Sequence, residues 1–149
     1  MENPTYSVSL AEWHVDYAAL SQIRFTVFVR EQGVPPELEL DEADENPELV
    51  VHAIARDRDG NAIATGRLVL DSSTPRVGRM AVLRQWRGHG VGKAILDFFC
   101  QYAKQHGYQT VRLNSQTHAT PFYYKQGFLS HGSEFVEAGI PHLEMRRKL

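Results

Sequence analysis

Apolar residues near the start of the chain fall at every second position. Tyr6, Val8 and Leu10 alternate with polar neighbours, which predicts a short strand with one covered face. From about Asp16 the period changes. Leu20, Ile23 and Val27 step by three and then four residues, the stripe of a helix that buries one face, and Gly33-Val34-Pro35-Pro36 stops it. Leu49–Arg56 and Ala62–Leu70 are rich in β-formers. Between them lies Asp57-Arg58-Asp59-Gly60-Asn61, whose Asp-Gly pair suits a tight hairpin. Arg76–Leu83 is a third such run, so an antiparallel meander is expected. Over Gly88–His106 the helical period returns with Val91, Ile95, Phe98 and Tyr102, joined by Leu96, Phe99 and Ala103, and Gly107 closes it. Gln109–Asn114 reads as a strand and Ala119–Gln126 as a short helix stopped by Gly127. Phe128–Val136 with His142–Arg147 reads as a closing hairpin.

The order β, α, three β, α, β, α, β, β describes a mixed α/β sheet with a strand, helix, strand crossover over residues 76–114. Open sheets bind ligands at the carboxyl ends of their central strands, so chemistry is expected there. At 149 residues the chain is expected to be a single domain, 1–149. Hydrophobic residues at 42% and charged residues at 23% argue against disorder and against a fibre. A net charge of −2 provides no field for nucleic acid or anionic lipid. The segment MENPTYSVSL lacks a basic, apolar leader pattern and no run of apolar residues is long enough to span a bilayer, so a soluble cytoplasmic protein without a membrane partner is expected. Cys100 alone forms neither an intrachain disulfide nor a CxxC site and reads as an apolar filler. The histidines show no HExxH spacing, and no metal is expected.

The stretch Met80-Ala81-Val82-Leu83-Arg84-Gln85-Trp86-Arg87-Gly88-His89-Gly90-Val91-Gly92-Lys93 runs from a strand through a glycine-rich turn into a helix. Glycines at alternate positions let backbone N–H groups approach an anion at a helix N-terminus, and a phosphate is the natural occupant. Arg87 and Lys93 can add charge from either side. A P-loop would need glycine where Arg87 stands and Ser or Thr where Ala94 stands. A dinucleotide fingerprint would need glycine at Lys93 or Ile95. Both nucleotide readings fail, and a loop that only permits close packing remains as the bland alternative.

Arg87, Gly90 and Gly92 resemble the coenzyme A signature of the GNAT superfamily of N-acetyltransferases: Gln or Arg, two residues, Gly, one residue, Gly or Ala. Downstream, Ala119-Thr120-Pro121-Phe122-Tyr123-Tyr124-Lys125-Gln126-Gly127-Phe128 resembles that superfamily's Ala-x-x-Phe-Tyr-x-x-x-Gly-Phe. Val27–Pro35, Gly66-Arg67-Leu68, Leu113–Gln116 and Gly139–His142 are similar to the bacterial ElaA and YjcF group. Many members carry Asn three residues before the motif alanine, where this chain has Gln116. The resemblance covers nearly the whole chain. It implies a GNAT fold, a mixed and mostly antiparallel twisted sheet of about seven strands flanked by about four helices. It also implies an acetyl-CoA-dependent N-acetyltransferase acting by direct attack of a primary amine, borne by a small molecule, peptide or protein. A non-catalytic acyl-CoA sensor or interaction module is the alternative, and a homodimer is open.

Carried onto this sequence, the resemblance assigns the oxyanion and pantetheine contacts to backbone groups of Met80, Ala81 and Val82. It assigns the pyrophosphate to Arg87, Gly88, His89, Gly90, Val91, Gly92 and Lys93, and adds Asn114 and Phe122 to the cofactor contacts. Tyr123 is the candidate acid for the departing thiolate, since a phenol with a pKa near 10 stays protonated at neutral pH; its bland reading is a core tyrosine. For the base and the acceptor side the candidates are Glu31, His52 and His118, together with Arg67 and Arg79, which interrupt apolar strands. The two arginines would suit an anionic substrate group or would pair with Glu37, Glu39, Asp41, Glu42, Asp44 or Glu45 of an acidic loop.

Overall fold

The computed structural model describes residues 5–149, and its elements follow the changes of hydrophobic period along the chain. Strand β1 (Tyr6–Ala11) leads into helix α1 (Trp13–Arg24), which runs on into a π-helical segment, Phe25–Glu31. In that segment the Gln32 amide donates to the Val27 carbonyl and the Val34 amide to the Phe28 carbonyl, giving wider turns than an α-helix. The helix starts at Trp13 and not near Asp16, because the Asp16 carboxylate reaches back to accept from the Glu12 amide at 3.0 Å. An acidic residue read as an entry signal therefore lies inside the first turn.

The chain then folds back as a short helix α2 (Pro36–Glu39) and a single 3-10 turn, Glu42–Glu45, where an acidic loop was expected. Pro36 fits the first helical position, and the Asp41 carboxylate caps the turn by accepting from the Ala43 amide at 3.0 Å. Strands β2 (Val50–Asp57), β3 (Ala62–Val69) and β4 (Arg76–Val82) form the expected meander. Its first hairpin is tied by Asp57, whose carboxylate accepts from the amides of Asp59 and Asn61 at 2.9 Å. Helix α3 (Val91–Gln105), strand β5 (Thr110–Gln116), helix α4 (Thr120–Lys125) and the hairpin β6 (Leu129–Glu137) and β7 (Ile140–Lys148) complete the chain.

The seven strands form one sheet in the order β1-β2-β3-β4-β5-β7-β6, with β4 and β5 the parallel pair. A seven-stranded mixed sheet with four α-helices is the architecture the resemblance implies. Helix α3 buries Val91, Ile95, Leu96, Phe99, Cys100 and Ala103 against one face. Phe98 and Tyr102, expected within the stripe, lie at its margin, partly buried. The helix approaches β3 closely at Gly66, where a Cβ would stand 3.0 Å from both Ile95 and Phe99. The other face of the sheet receives α1 and the π-helical segment, with Ile23 and Val27 packed on Ala81.

Two irregularities shape the middle of the sheet. First, β4 and β5 pair only at Arg76 with Arg112 and at Val77 with Leu113, after which the two strands diverge. Second, β4 is bulged against β3: Arg67 faces Gly78 and Thr65 faces Ala81, so Arg79 and Met80 together oppose Gly66. Arg79 takes a left-handed backbone there, at φ 49°.

Candidate active site

The divergence of β4 and β5 opens a notch bordered by Met80, Ala81 and Val82 on one side and by Asn114 on the other. Because these strands are parallel, their carboxyl ends lie at the same end of the sheet. The turn before α3 and the short helix α4 after β5 both stand there. In the turn, Gly88 and Gly90 each have φ near 81°, and Gly90 is the residue from which α3 starts. The amide of Ala94 bonds the Gly90 carbonyl at 3.0 Å, and no side chain caps the amides of Val91, Gly92 and Lys93 ahead of it. Gly92 has ordinary helical geometry, and a Cβ on it would rest 3.8 Å from Met80 and 3.9 Å from Val82. Free N–H groups, a helix dipole and no obstructing side chain can cradle an anion beside the notch.

The turn is braced from outside. Tyr6 donates its hydroxyl to the His89 carbonyl at 3.2 Å and packs edge-on to Trp86, which in turn meets the exposed His89. Arg87 donates Nε to the Val82 carbonyl at 3.0 Å and pairs with Glu31 at 2.6 Å, which brings the Glu31 carboxylate to the turn. Lys93 is engaged by Asp97 at 2.7 Å, one turn along α3. Across the notch Tyr123 is half-buried, edge-on to Phe122 and Phe128, and burial pushes its phenol pKa above the ordinary 10.0. Phe122 stays largely exposed, and His118 is exposed in the turn between β5 and α4.

A profile of the GNAT acetyltransferase domain matches residues 19–149, from α1 to the end of the chain. The chain belongs to the GNAT acetyltransferase family. It is 36% identical over 126 residues to the uncharacterized N-acetyltransferase YjcF of Bacillus subtilis, covering 84% of this chain and 87% of that one. An acyl-CoA N-acyltransferase from Pseudomonas aeruginosa superposes with a TM-score of 0.83 at 28% identity, covering 95% of this chain and 99% of that one. ElaA from Escherichia coli superposes equally well, TM-score 0.83 at 25% identity, with the same coverage. The protein is thus an acetyltransferase of the ElaA and YjcF type. GNAT acetyltransferases use acyl-CoA as cosubstrate and act on amines.

The acceptor-side candidates separate. His52 is buried, stacked on Trp13 with ring centroids 4.9 Å apart, and its Nε2 donates to the Asp44 carbonyl at 3.0 Å. Burial holds its pKa below the ordinary 6.5. Arg67 is nearly covered and grips Asp41 at 2.8 Å and Asp44 at 2.9 Å, which is the acidic-segment pairing weighed against an anionic substrate. Arg79 is not engaged in this way. The pairing extends to Arg24, unanticipated from sequence, which meets Glu39 at 2.5 Å and Asp44 at 2.9 Å with its guanidinium over Trp13. One signal could have revealed it: Arg24 stands four residues after Leu20 on the stripe that α1 buries, where a cation needs a partner. Tyr6 carried no such signal, being one of three alternating residues.

Among the described residues no cluster of three or more His, Cys, Asp or Glu side chains is arranged to hold a metal ion, and no helix is long and apolar enough to cross a membrane. Cys100 is buried in the core, and burial raises its thiol pKa.

Proposed function

We propose that the chain transfers an acetyl group from acetyl-CoA to a primary amine by direct attack within the notch between β4 and β5. The observation that carries this reading is the end of the β4–β5 ladder after two residue pairs, next to the uncapped start of α3. Strand edges freed in this way offer N–H and C=O groups to an amide-bearing pantetheine arm, and the cradle suits its pyrophosphate. Bound there, acetyl-CoA supplies an activated thioester. The backbone of Met80, Ala81 and Val82 orients its carbonyl for attack and provides donors for the developing oxyanion. Tyr123, kept protonated by burial, gives its proton to the sulfur as the carbon–sulfur bond breaks. Of the three candidate bases, His52 is enclosed and Glu31 is paired with Arg87, which leaves exposed His118 or solvent to receive the amine proton.

Isothermal titration with acetyl-CoA followed by thiol release over an amine panel tests the reading. Binding and release with at least one amine are expected. No binding at millimolar acetyl-CoA overturns the proposal, and binding without transfer to any amine favours the sensor.

A further inference from the structure

Across the bulge of β4, Met80 and Ala81 keep the regular alternation. The Met80 side chain lies 3.2 Å from where a Cβ on Gly66 would stand, toward α3, and Ala81 faces Ile23 and Val27 on the other side. Arg79 is the extra residue, and its charge is acted on by Arg24, Arg67, Glu39 and Asp41, all belonging to the α1 side of the sheet. A left-handed backbone suits glycine or asparagine, so an arginine held there carries local backbone strain.

The three carboxylates that could neutralise Arg79 are committed by short contacts to others: Glu39 to Arg24, Asp41 to Arg67, and Asp44 to both. Among the described residues Arg79 has no ion-pair partner, and its buried Nε donates to nothing. Two N–H groups of its neighbours, Nε of Arg67 and Nη1 of Arg24, are likewise buried without an acceptor, on side chains only 6% and 3% exposed. Burial and then the Arg67 and Arg24 charges hold the Arg79 pKa below its ordinary value. An anion arriving at such a place gains a charge-assisted partner and relieves repulsion among the guanidinium groups.

We propose that Arg79 is the specificity-determining residue that binds an anionic group, a carboxylate or a phosphate, on the acceptor. The inference rests on the acetyl-transfer reading and narrows it. The acceptors are amines that carry negative charge, and the bulge that bends β4 beside the notch also aims the arginine that selects them. Arg67, Arg24 and their carboxylates hold the surrounding wall and do not themselves grip the substrate.

The test uses matched acceptors on the full chain: amino acids against their amides, and aminoalkyl phosphates against the corresponding aminoalkyl alcohols. The expected result is a preference of tenfold or more in kcat/KM for the anionic member of at least one pair, the arm that responds telling carboxylate from phosphate. Arg79→Gln raises KM for that member about tenfold to a hundredfold, and the ratio falls toward one while acetyl-CoA affinity is kept. Arg79→Gly removes the same charge and the left-handed strain together, so it loses the preference with Tm held or raised, which separates specificity from misfolding. Acetylation of the amides, the alcohols or polyamines in preference to every anionic amine overturns the inference and leaves acetyl transfer standing. A second readout needs no turnover: glutarate and inorganic phosphate are titrated in the presence of saturating CoA. Binding by the wild type that Arg79→Gln weakens supports the inference. Equal binding in both proteins, or none in the wild type at tens of millimolar, overturns it.

Discussion

Tyr123 and the two helix-starting glycines show what a single residue contributes here. Replacing Tyr123 by Phe removes one proton donor and almost no contact area. Turnover is expected to fall about a hundredfold with acetyl-CoA affinity kept, measured as kcat and KM on one variant; unchanged turnover returns Tyr123 to a packing role. The glycines are not equivalent, although they looked so in the motif. Gly90 has φ near 81°, and a Cβ there would also sit 3.5 Å from the Tyr6 hydroxyl, so any substitution strains the backbone before it touches a ligand. Gly92 is unstrained. Gly92→Asp is therefore expected to fold, with its carboxylate at the helix N-terminus, and to abolish acetyl-CoA binding in a titration by occupying the cradle. Binding at wild-type affinity by the folded variant places the pyrophosphate elsewhere. The motif located both glycines, yet only geometry separates the one that shapes the backbone from the one that leaves room.

Among the elements, the segment from Pro36 to Glu45 pairs with Arg67, as one of its two sequence readings had it, but takes Arg24 where that reading had Arg79. Its run of carboxylates has the look of a solvated loop, but each acidic residue that turns inward has a cation waiting: Arg24 on α1 and Arg67 on β3. Pairing of this kind depends on residues 15 to 26 positions apart meeting in space, so hydrophobic periodicity, a local signal, cannot report it. Periodicity did place the strands and α3, because those elements bury faces that local spacing defines. Asp44 lies at the centre of the segment's contacts, with its carboxylate on two arginines and its carbonyl on His52. Asp44→Asn is expected to cost about 3 kcal/mol in chemical denaturation, since it leaves two buried guanidinium groups with one carboxylate each, Glu39 on Arg24 and Asp41 on Arg67. A loss below about 1 kcal/mol would mean that the network is held from elsewhere.

For the whole molecule, the same network makes stability depend on pH. His52 is held neutral, so below its ordinary pKa of 6.5 the unfolded chain takes up a proton that the folded chain refuses. Stability therefore falls as pH drops from 6.5 toward the lower folded-state pKa. Asp41 shifts the opposite way in charge, its pKa held below 3.8, and its contribution is lost only in stronger acid. Thermal unfolding between neutral pH and pH 5 is expected to show a slope that His52→Gln flattens; equal slopes in both proteins would exclude His52 as its source.

The short ladder between β4 and β5 has a consequence for how the molecule holds together. Two rungs of main-chain pairing join a leaf of four strands, β1 to β4, to a leaf of three, β5 to β7, so the sheet has a seam where most sheets are continuous. The crossover helix α3 lies along that seam, packed on strands from both leaves. A ligand lying in the notch and pairing with both strand edges would complete the missing rungs. On the proposed reading the cosubstrate would act as a removable eighth strand, whose arrival and departure in each turnover would close and reopen the seam of the fold.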